Sequence, residues 1–275
     1  MNENTSFKAQ INNIAKKNHI SAQAVLQNYM LERLLERIIL SEYRDKFILK
    51  GGMLISSLVG ISNRTTMDMD ITIQNFPLME EKLFQTFSDI CTIETNDEVV
   101  FSVRHISPIR NEDIYGGYRL SIIATYNTIT TPLKEDITVG DIITPQPIRY
   151  KFSSIFEKKE FSTWAYNLET ILAEKVETVL RRGIFNTRPR DFYDIYIILN
   201  KYENTVDKEL FLKALFATSK KRNSQEVLDI KEIILDRILT DSEMQRRWNI
   251  YSVNNYYAGD LEFDKIISKI RSYIS

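Results

Sequence analysis

The chain has 275 residues, of which 43% are apolar and 27% charged, so it has the composition of a globular protein with a sizeable core, in one large domain or two smaller ones. Its 36 Lys and Arg residues nearly balance 37 Asp and Glu residues, which excludes a generally basic nucleic-acid binder and leaves only local basic patches. One cysteine excludes an internal disulfide framework, and two separated histidines do not complete a zinc site with it.

Targeting signals are also absent from the sequence pattern. No apolar run reaches the ~20 residues that span a bilayer, and the N-terminal segment lacks a basic region followed by an apolar core. Cys91 lies among Ile90, Thr92 and Ile93, which favours a buried structural thiol. We therefore expect a cytoplasmic protein with no membrane contact.

Two helices are predicted before the first strand. Residues 6–17 favour a short helix, and Ser21 is a candidate N-cap for a longer one. Apolar residues recur in the second helix every four positions, at Leu26, Met30, Leu34 and Ile38. Charged residues occupy other positions and predict a solvated face: Glu32, Arg33, Glu36 and Arg37.

The next stretch combines a strand, a glycine pair and a short helix. Residues 48–50 read as a strand and residues 53–59 as a helix, so Gly51 and Gly52 fall at the turn between them. Glycines there let a phosphate approach backbone amides at a helix start, although most such pairs form ordinary turns. A loop with Arg64 and Thr66 follows.

Asp68 and Asp70 come next, in a predicted strand that continues to Ile73. Alternate residues of a strand share a face, so the two carboxylates lie roughly 7 Å apart on one side. Carboxylates are the protein ligands that Mg²⁺ takes, and paired ions in phosphoryl transfer are held about 4 Å apart. Asp-x-Asp also occurs in many surface strands and turns, so it is the ordered combination of strand, glycine pair, helix and acidic strand that indicates a magnesium site at Asp68 and Asp70.

The first half is completed by a predicted helix over residues 79–88 and by three predicted strands, over 99–106, 118–125 and 133–139. Tyr115–Gly117 is the predicted turn between the first two of these strands. Mixed strands without a repeating βαβ pattern predict an α+β fold with a small mixed sheet and flanking helices. Asp136 lies inside the last strand, where an acid is disfavoured. Its neighbours leave two interpretations, an edge-strand charge or a functional carboxylate, whereas Glu135 faces the opposite side.

From about Ser162 the periodicity is helical, so we place domains at 1–160 and 161–275, and the second domain is predicted to be all-helical.

Lys175 falls within the apolar arc of a predicted helix over 167–182. Its side chain either extends past the core to solvent or faces an anionic cleft. A second helix begins at Pro189 and carries Asp191 and Asp194 on one face. Arg181, Arg182, Arg188 and Arg190 lie between them, as a solvated surface or a phosphate-binding one. Further helices are predicted over 208–219, 224–237, 241–250 and 261–274.

Four segments together resemble the AbiEii/AbiGii-type nucleotidyltransferase toxins of the DNA polymerase β-like superfamily. They are Leu49-Lys-Gly-Gly-Met-Leu-Ile, Arg64-Thr-Thr-Met-Asp-Met-Asp, Leu172-Ala-Glu-Lys175 and Asp191-Phe-Tyr-Asp194. Many superfamily members have Gly-Ser where this chain has Gly51-Gly52, so a serine contact to phosphate is lost while the backbone amides remain.

The resemblance implies a function and residue roles. Asp68 and Asp70 would hold two Mg²⁺ ions, and Asp136 would be a third carboxylate that orients the acceptor or completes metal binding. Gly51, Gly52, Arg64 and Thr66 would contact the NTP; Lys175 would contact its phosphates; Asp191 would help complete the site, with Asp194 beside it. The expected activity is NMP transfer to an RNA acceptor such as a tRNA 3′ end, by a toxin of a toxin–antitoxin or phage abortive-infection system whose antitoxin is encoded elsewhere. A small-molecule nucleotidyltransferase and a non-catalytic nucleotide-binding module remain alternatives.

Overall fold

A computed structural model describes residues 3–109, 116–157 and 159–275. The chain divides into two compact units, Met1–Asp141 with Ile148–Ala165, and Ile142–Pro147 with Tyr166–Ser275. Tyr115, in the predicted turn, lies outside the described residues, and Gly117 begins a strand.

The first unit contains a seven-stranded mixed sheet in the order β3-β4-β5-β2-β1-β7-β6. Its strands β1 to β7 are Phe47–Lys50, Met69–Ile73, Val99–Pro108, Gly117–Tyr126, Ile129–Val139, Ile148–Ser153 and Glu160–Ala165. β2 is parallel to β5 and β1 is parallel to β7, whereas the other neighbours are antiparallel. The predicted α+β class and mixed sheet are confirmed.

Strands β6 and β7 were not predicted from the sequence. β6 is an edge strand whose residues are largely exposed, but Ile148, Tyr150 and Phe152 alternate with polar residues as in a strand, a pattern that was overlooked beside Pro145 and Pro147. β7 extends to Ala165, past Ser162, where the helical pattern was expected to begin. Pairing with β1 and β6 therefore decides the conformation of β7 more than its own periodicity does.

Four helices accompany the sheet, with bounds α1 Glu3–Asn18, α2 Ala22–Leu40, α3 Gly51–Val59 and α4 Glu80–Cys91. Ser21 caps α2 as predicted, because its side chain accepts the Ala24 N–H at 3.1 Å. Residues such as Leu34, Ile71 and Phe87 are at most 1% exposed and form the core. Cys91 is half-buried, and burial raises the pKa of its thiol to about 12, which fits a structural role.

The predicted solvated face of α2 is wrong. Glu32, Arg33, Glu36 and Arg37 are each at most 5% exposed. Arg37 donates to both carboxylate oxygens of Asp97 at 2.7 and 2.8 Å and to the Val99 carbonyl at 2.7 Å. Glu32 accepts from the Ser154 hydroxyl at 2.6 Å and from the Ile155 amide at 3.1 Å.

These partners explain why the sequence pattern failed. A helix that is surrounded by protein can hold charged residues on its second face when each one meets an opposite charge or a hydrogen bond. The partners lie far along the chain, in the segment before β3 and in the connection between β6 and β7. Burial alone would raise the pKa of Asp97, but the Arg37 guanidinium and the Val99 amide hold it below its usual value.

The second unit is helical, as predicted. Helices α5 to α11 are Leu168–Arg182, Pro189–Tyr202, Lys208–Lys221, Glu226–Asp229, Lys231–Thr240, Ser242–Asn254 and Phe263–Ile274. The Asn167 side chain caps α5 by accepting the Thr170 N–H at 2.8 Å. The helix expected over 224–237 is divided at Ile230. None of the helices in the described ranges combines the length and apolar character needed to cross a membrane.

We predict that Arg37→Met lowers the free energy of unfolding by about 3–5 kcal/mol, because it leaves the buried Asp97 carboxylate without its guanidinium partner. Chemical denaturation monitored by circular dichroism measures this change. Arg44→Met is the matched control, since Arg44 forms only an exposed pair with Asp45 at 3.7 Å and should leave stability unchanged. Equal stability of the two variants would contradict a buried charge network on α2.

Candidate active site

The predicted acidic residues lie in one row across the centre of the sheet. The strand register places Lys50 opposite Asp70, Asp70 beside Asp136, and Asp136 opposite Arg119. Directly opposed residues of neighbouring strands share a face, so the four side chains form a line about 14 Å long. Asp68 precedes β2 on the same side as Asp70, because the intervening Met69 is fully buried on the other side.

Both ends of this row carry a cation. Arg119 donates from Nε and Nη2 to the two oxygens of Asp136, each at 2.7 Å. The hydrogen bond to Asp136 and the nearby charges of Asp68 and Asp70 raise the pKa of Arg119. Lys50 Nζ lies 2.5 Å from Asp141 Oδ2, and Asp141 also accepts from the Thr138 hydroxyl at 2.7 Å.

The Asp70 carboxylate lies against the glycine turn. Gly51 has φ of +65°, and a Cβ on it would lie only 1.9 Å from Asp70 Oδ2. The amide of Gly52 donates to the same oxygen at 3.3 Å. Residue 51 therefore has to be glycine both for its backbone conformation and for the space that Asp70 occupies.

The predicted loop residues meet the second glycine. A Cβ on Gly52 would lie 2.7 Å from Thr66 Oγ1 and 3.5 Å from Arg64 Nη2, and both side chains belong to largely buried residues. The Thr66 hydroxyl also contacts Asp68, donating to its carbonyl at 3.1 Å. The structure therefore brings Gly51, Gly52, Arg64 and Thr66 together with Asp68 and Asp70.

Two amide side chains of α2 fix the loop before β2. Asn28 donates to the Thr66 carbonyl at 3.0 Å, and Gln27 donates to the carbonyls of Met67 and Pro132, both at 3.1 Å. Gln27 therefore connects the loop before β2 to strand β5, which carries Asp136. These contacts fix the relative position of the two acidic segments.

Glu135 lies on the opposite face from Asp136, as predicted. It is fully buried, and desolvation together with the nearby charges of Asp70 and Asp68 raises its pKa well above the usual value. Burial and the nearby charges therefore disfavour the ionised form of Glu135, and its place on the other face means that it does not substitute for Asp136.

The chemistry of the open face suits a magnesium ion. Asp68 and Asp70 are half-buried oxygen donors beside a glycine turn, and the Gly52 amide of that turn donates to Asp70. Within the described residues, no group of three or more His, Cys, Asp or Glu side chains converges on one metal position, and Arg119 occupies both oxygens of Asp136. One or two carboxylates completed by substrate phosphates and water are the usual protein ligands of Mg²⁺, so Asp68 and Asp70 fit this ion.

In the second unit, Lys175 forms a charged cluster with the two predicted aspartates. Its Nζ lies 2.6 Å from Asp191 Oδ1 and 2.9 Å from Asp194 Oδ2. Both aspartates are buried, and the lysine side chain is 18% exposed. The anionic groups that Lys175 faces are thus side chains of this chain, and its contact with nucleotide phosphates stays a prediction.

The predicted arginine cluster divides into two parts. Arg181 donates to the buried Glu177 at 2.8 Å, and Glu177 is bound by Arg222 at 2.6 Å as well. Arg182 is half-buried, whereas Arg188 and Arg190 are exposed. Arg181 is therefore part of the packing between helices, whereas Arg188 and Arg190 are exposed at the surface.

Lys50 and Arg119 were not predicted to belong to the row. The sequence does contain an indication of the position of Arg119, because Asn127 and Thr128 form a two-residue hairpin turn between β4 and β5. Asn127 has φ of +51°, which asparagine tolerates well in tight turns. Recognising that hairpin fixes the register and places Arg119 opposite Asp136. Spacing alone gave no indication of the Lys50–Asp141 pair.

A separate cleft of about 300 Å³ lies in the first unit, lined in part by Phe7, Tyr29 and Tyr126. Its described lining includes none of the residues of the acidic row. Two of its acids are already paired, Asp97 with Arg37 and Glu157 with Arg33 at 3.2 Å. The cleft therefore does not compete with the row as the candidate active site.

A family model decides the relationship of this chain to known proteins. The model of the nucleotidyl transferase AbiEii toxins of type IV toxin–antitoxin systems matches residues 33–269. The chain belongs to the AbiEii family. The family consists of nucleotidyltransferase toxins, so membership implies a nucleotide substrate and a cognate antitoxin. No functionally curated protein matches the chain by sequence.

Two solved structures share the AbiEii-family fold seen here. MenT4, a nucleotidyltransferase toxin from Mycobacterium tuberculosis H37Rv, is 11% identical, with a TM-score of 0.56 over 96% of this chain and 97% of that one. JHP933 from Helicobacter pylori is 14% identical, with a TM-score of 0.51 over 92% of this chain and 91% of that one. At these identities the likeness shows the fold alone.

We predict that Gly51→Ala lowers the free energy of unfolding by at least about 1–2 kcal/mol and displaces Asp70, because alanine disfavours positive φ and its Cβ occupies the place of the carboxylate. Thermal unfolding and nucleotidyl transfer are measured together. Gly116→Ala is the control, since a Cβ there meets no atom of the residues that the structure describes within 4 Å. Wild-type activity and stability in Gly51→Ala would refute the close approach.

We predict that Lys175→Met lowers the free energy of unfolding by about 3–5 kcal/mol, because two buried carboxylates lose their cation. Adding Asp191→Asn and Asp194→Asn to Lys175→Met should recover most of that loss by removing both charges. Lys213→Met is the matched control, since its partner Glu209 is exposed and stability should not change. If Lys175→Met is as stable as this control, the cluster is not a buried ion network.

Proposed function

We propose that this AbiEii-family chain is a magnesium-dependent toxin that transfers an NMP group from an NTP to an RNA acceptor, such as the 3′ end of a tRNA. The observation that carries the proposal is the row across β1, β2, β5 and β4, in which Asp70 and Asp136 lie between Lys50 and Arg119 beside the Gly51-Gly52 turn.

The proposed reaction joins the acceptor hydroxyl oxygen to the α-phosphorus of the NTP. The bond between the α-phosphorus and the bridging oxygen to the β-phosphate breaks, and pyrophosphate leaves. Asp136 receives the hydroxyl proton or orients the hydroxyl, while Arg119 fixes the carboxylate of Asp136. The amides at Gly51 and Gly52 and the Arg64 and Thr66 side chains bind the triphosphate.

Asp68 and Asp70 would hold the magnesium ions. When bound, these ions neutralise negative charge on the phosphates as it develops during transfer. Lys50, paired with Asp141, adds a positive charge at the same end of the row as the glycine turn. In the second unit, we propose that Lys175 contacts nucleotide phosphates and that Asp191 helps complete the active site, in addition to their structural pairing.

The cellular setting follows from the family. A toxin that modifies tRNA would act in the cytoplasm and arrest growth until its antitoxin counters it, and such arrest would limit phage infection. The class of acceptor, RNA, is the most specific part of this proposal. It is supported by the resemblance of the motif segments to toxins of this type and by a local basic surface in an otherwise neutral chain.

The test is incubation of the purified protein with each labelled NTP and with total RNA, tRNA or small hydroxyl compounds, with and without Mg²⁺. We predict label transfer to RNA only with Mg²⁺, and loss of at least about a hundredfold in rate in Asp70→Asn, which preserves volume but removes a ligand charge. Asp136→Asn should reduce turnover more than NTP affinity.

Asp89→Asn is the matched control. Asp89 is an exposed aspartate on α4, so this variant should retain activity and stability.

Transfer to small compounds alone would identify a small-molecule nucleotidyltransferase. NTP binding without transfer to any acceptor would identify a binding module. Full transfer by Asp70→Asn at normal stability would refute the metal site. The triple variant Lys175→Met, Asp191→Asn and Asp194→Asn, if folded and active, would restrict Lys175 to a structural role.

A further inference from the structure

An exposed aromatic residue lies in the basic surface between α5 and α6. Phe185 ends the short 3-10 turn Gly183–Phe185, and 80% of its surface is exposed. Exposing a phenylalanine this fully forgoes the free energy that burial would provide. Single exposed apolar residues are common, so the inference depends on what surrounds Phe185.

The segment that carries Phe185 is held by specific hydrogen bonds. Arg247 of α10 donates to the carbonyls of Asn186 at 3.0 Å and of Ile184 at 3.4 Å. Asn186 is fully buried, and its side-chain oxygen accepts the Arg188 N–H at 2.8 Å. Residues on both sides of Phe185 are therefore fixed, and the ring is presented outward from a defined backbone.

Three arginines surround the ring in the sequence. Arg182 precedes Phe185 by three residues and Arg188 follows it by three, so each backbone lies within about 11 Å of residue 185. Arg190 is on the first turn of α6, and both Arg188 and Arg190 are exposed. Among the residues that the structure describes, none of these three guanidinium groups pairs with a carboxylate, and the Nε of Arg182 is buried without a hydrogen-bond partner.

The acids nearby are already paired with other cations. Glu174 and Glu177 of α5 bind Arg222, at 3.2 and 2.6 Å. Asp191 and Asp194 of α6 bind Lys175. The positive charge of Arg182, Arg188 and Arg190 is therefore not balanced locally, although the whole chain has a net charge of −1.

We propose that Phe185, Arg182, Arg188 and Arg190 form a docking surface for an unpaired stretch of RNA, with a base stacked on the Phe185 ring and phosphates bound by the arginines. An aromatic ring flanked by unpaired arginines matches the two components of single-strand recognition, stacking and backbone charge. A paired helix keeps its bases stacked internally, so the ring selects an unpaired end or loop. The proposal rests on the proposed function only in taking RNA as the acceptor.

A protein partner is the alternative occupant of an exposed phenylalanine. Such a partner would bury the ring in an apolar pocket and would need acidic residues for the arginines. Stacking and apolar burial respond differently to substitution, because leucine retains apolar surface but has no ring to stack on a base. This difference separates the two occupants in a binding experiment.

The experiment measures fluorescence anisotropy of a labelled RNA hairpin with a short single-stranded 3′ overhang, compared with the same hairpin with a blunt end, without NTP. We expect tighter binding of the overhang by the wild type. Phe185→Ala and Phe185→Leu should both weaken overhang binding about 5- to 100-fold, whereas Phe185→Trp retains it. In Arg188→Ala with Arg190→Ala, the slope of log affinity against log salt should fall in magnitude by about 1.4.

Matched controls come from the first unit. Phe84→Ala removes a phenylalanine that is 42% exposed on α4, and Arg104→Ala removes an exposed arginine on β3; neither should change RNA affinity. Thermal unfolding of every variant confirms that the fold is retained.

The outcomes distinguish this inference from the proposed function. Weaker overhang binding in the Phe185 variants supports the docking surface even if no NMP transfer is detected. RNA transfer by a protein whose Phe185 and arginine variants bind like the wild type overturns the inference and leaves the proposed function intact. Equal affinity of the wild type for both hairpins, or full retention of binding in Phe185→Leu, overturns the stacking of an unpaired base on Phe185.

Discussion

The candidate site depends on one close approach, that of the Asp70 carboxylate to the backbone of Gly51. The carboxylate occupies the volume that any side chain at residue 51 would fill, and it accepts the amide of the next residue. Strand β2 therefore lies close enough to the helix start for an acid and the backbone amides of the turn to share one small region. Phosphates and the cation that accompanies them need both kinds of group at short range.

The sheet register supplies the remaining groups of the row. Like charges directly opposite one another destabilise a sheet, and Asp70 lies beside Asp136. Arg119 offsets this repulsion at one end, and Lys50 adds positive charge at the other while it pairs with Asp141. Two acids that repel each other are thus retained between two cations. This arrangement attracts further positive charge at some cost to the stability of the sheet.

The sequence predicted the local parts of this arrangement well. The glycine turn, the acidic pair and most strands follow from periodicity and residue type within short windows, and these predictions hold in the structure. Groups that depend on strand pairing were missed, because Arg119 and Lys50 reach the site only through the register. The α2 charges were misassigned for the same reason, since their partners lie between 60 and 124 residues away in sequence. Lys175 was recognised as unusual, but its two aspartate partners were assigned other roles.

The order of the strands has a consequence for local unfolding. The acidic row is on β2 and β5, which have neighbours on both sides, while the sheet edges are β3 and β6. Edge strands lose their backbone hydrogen bonds in small openings, whereas central strands open only when much of the domain does. Amide protons in β2 are therefore protected from exchange with solvent by nearly the full free energy of unfolding. Fraying at either edge leaves the spacing of the carboxylates unchanged.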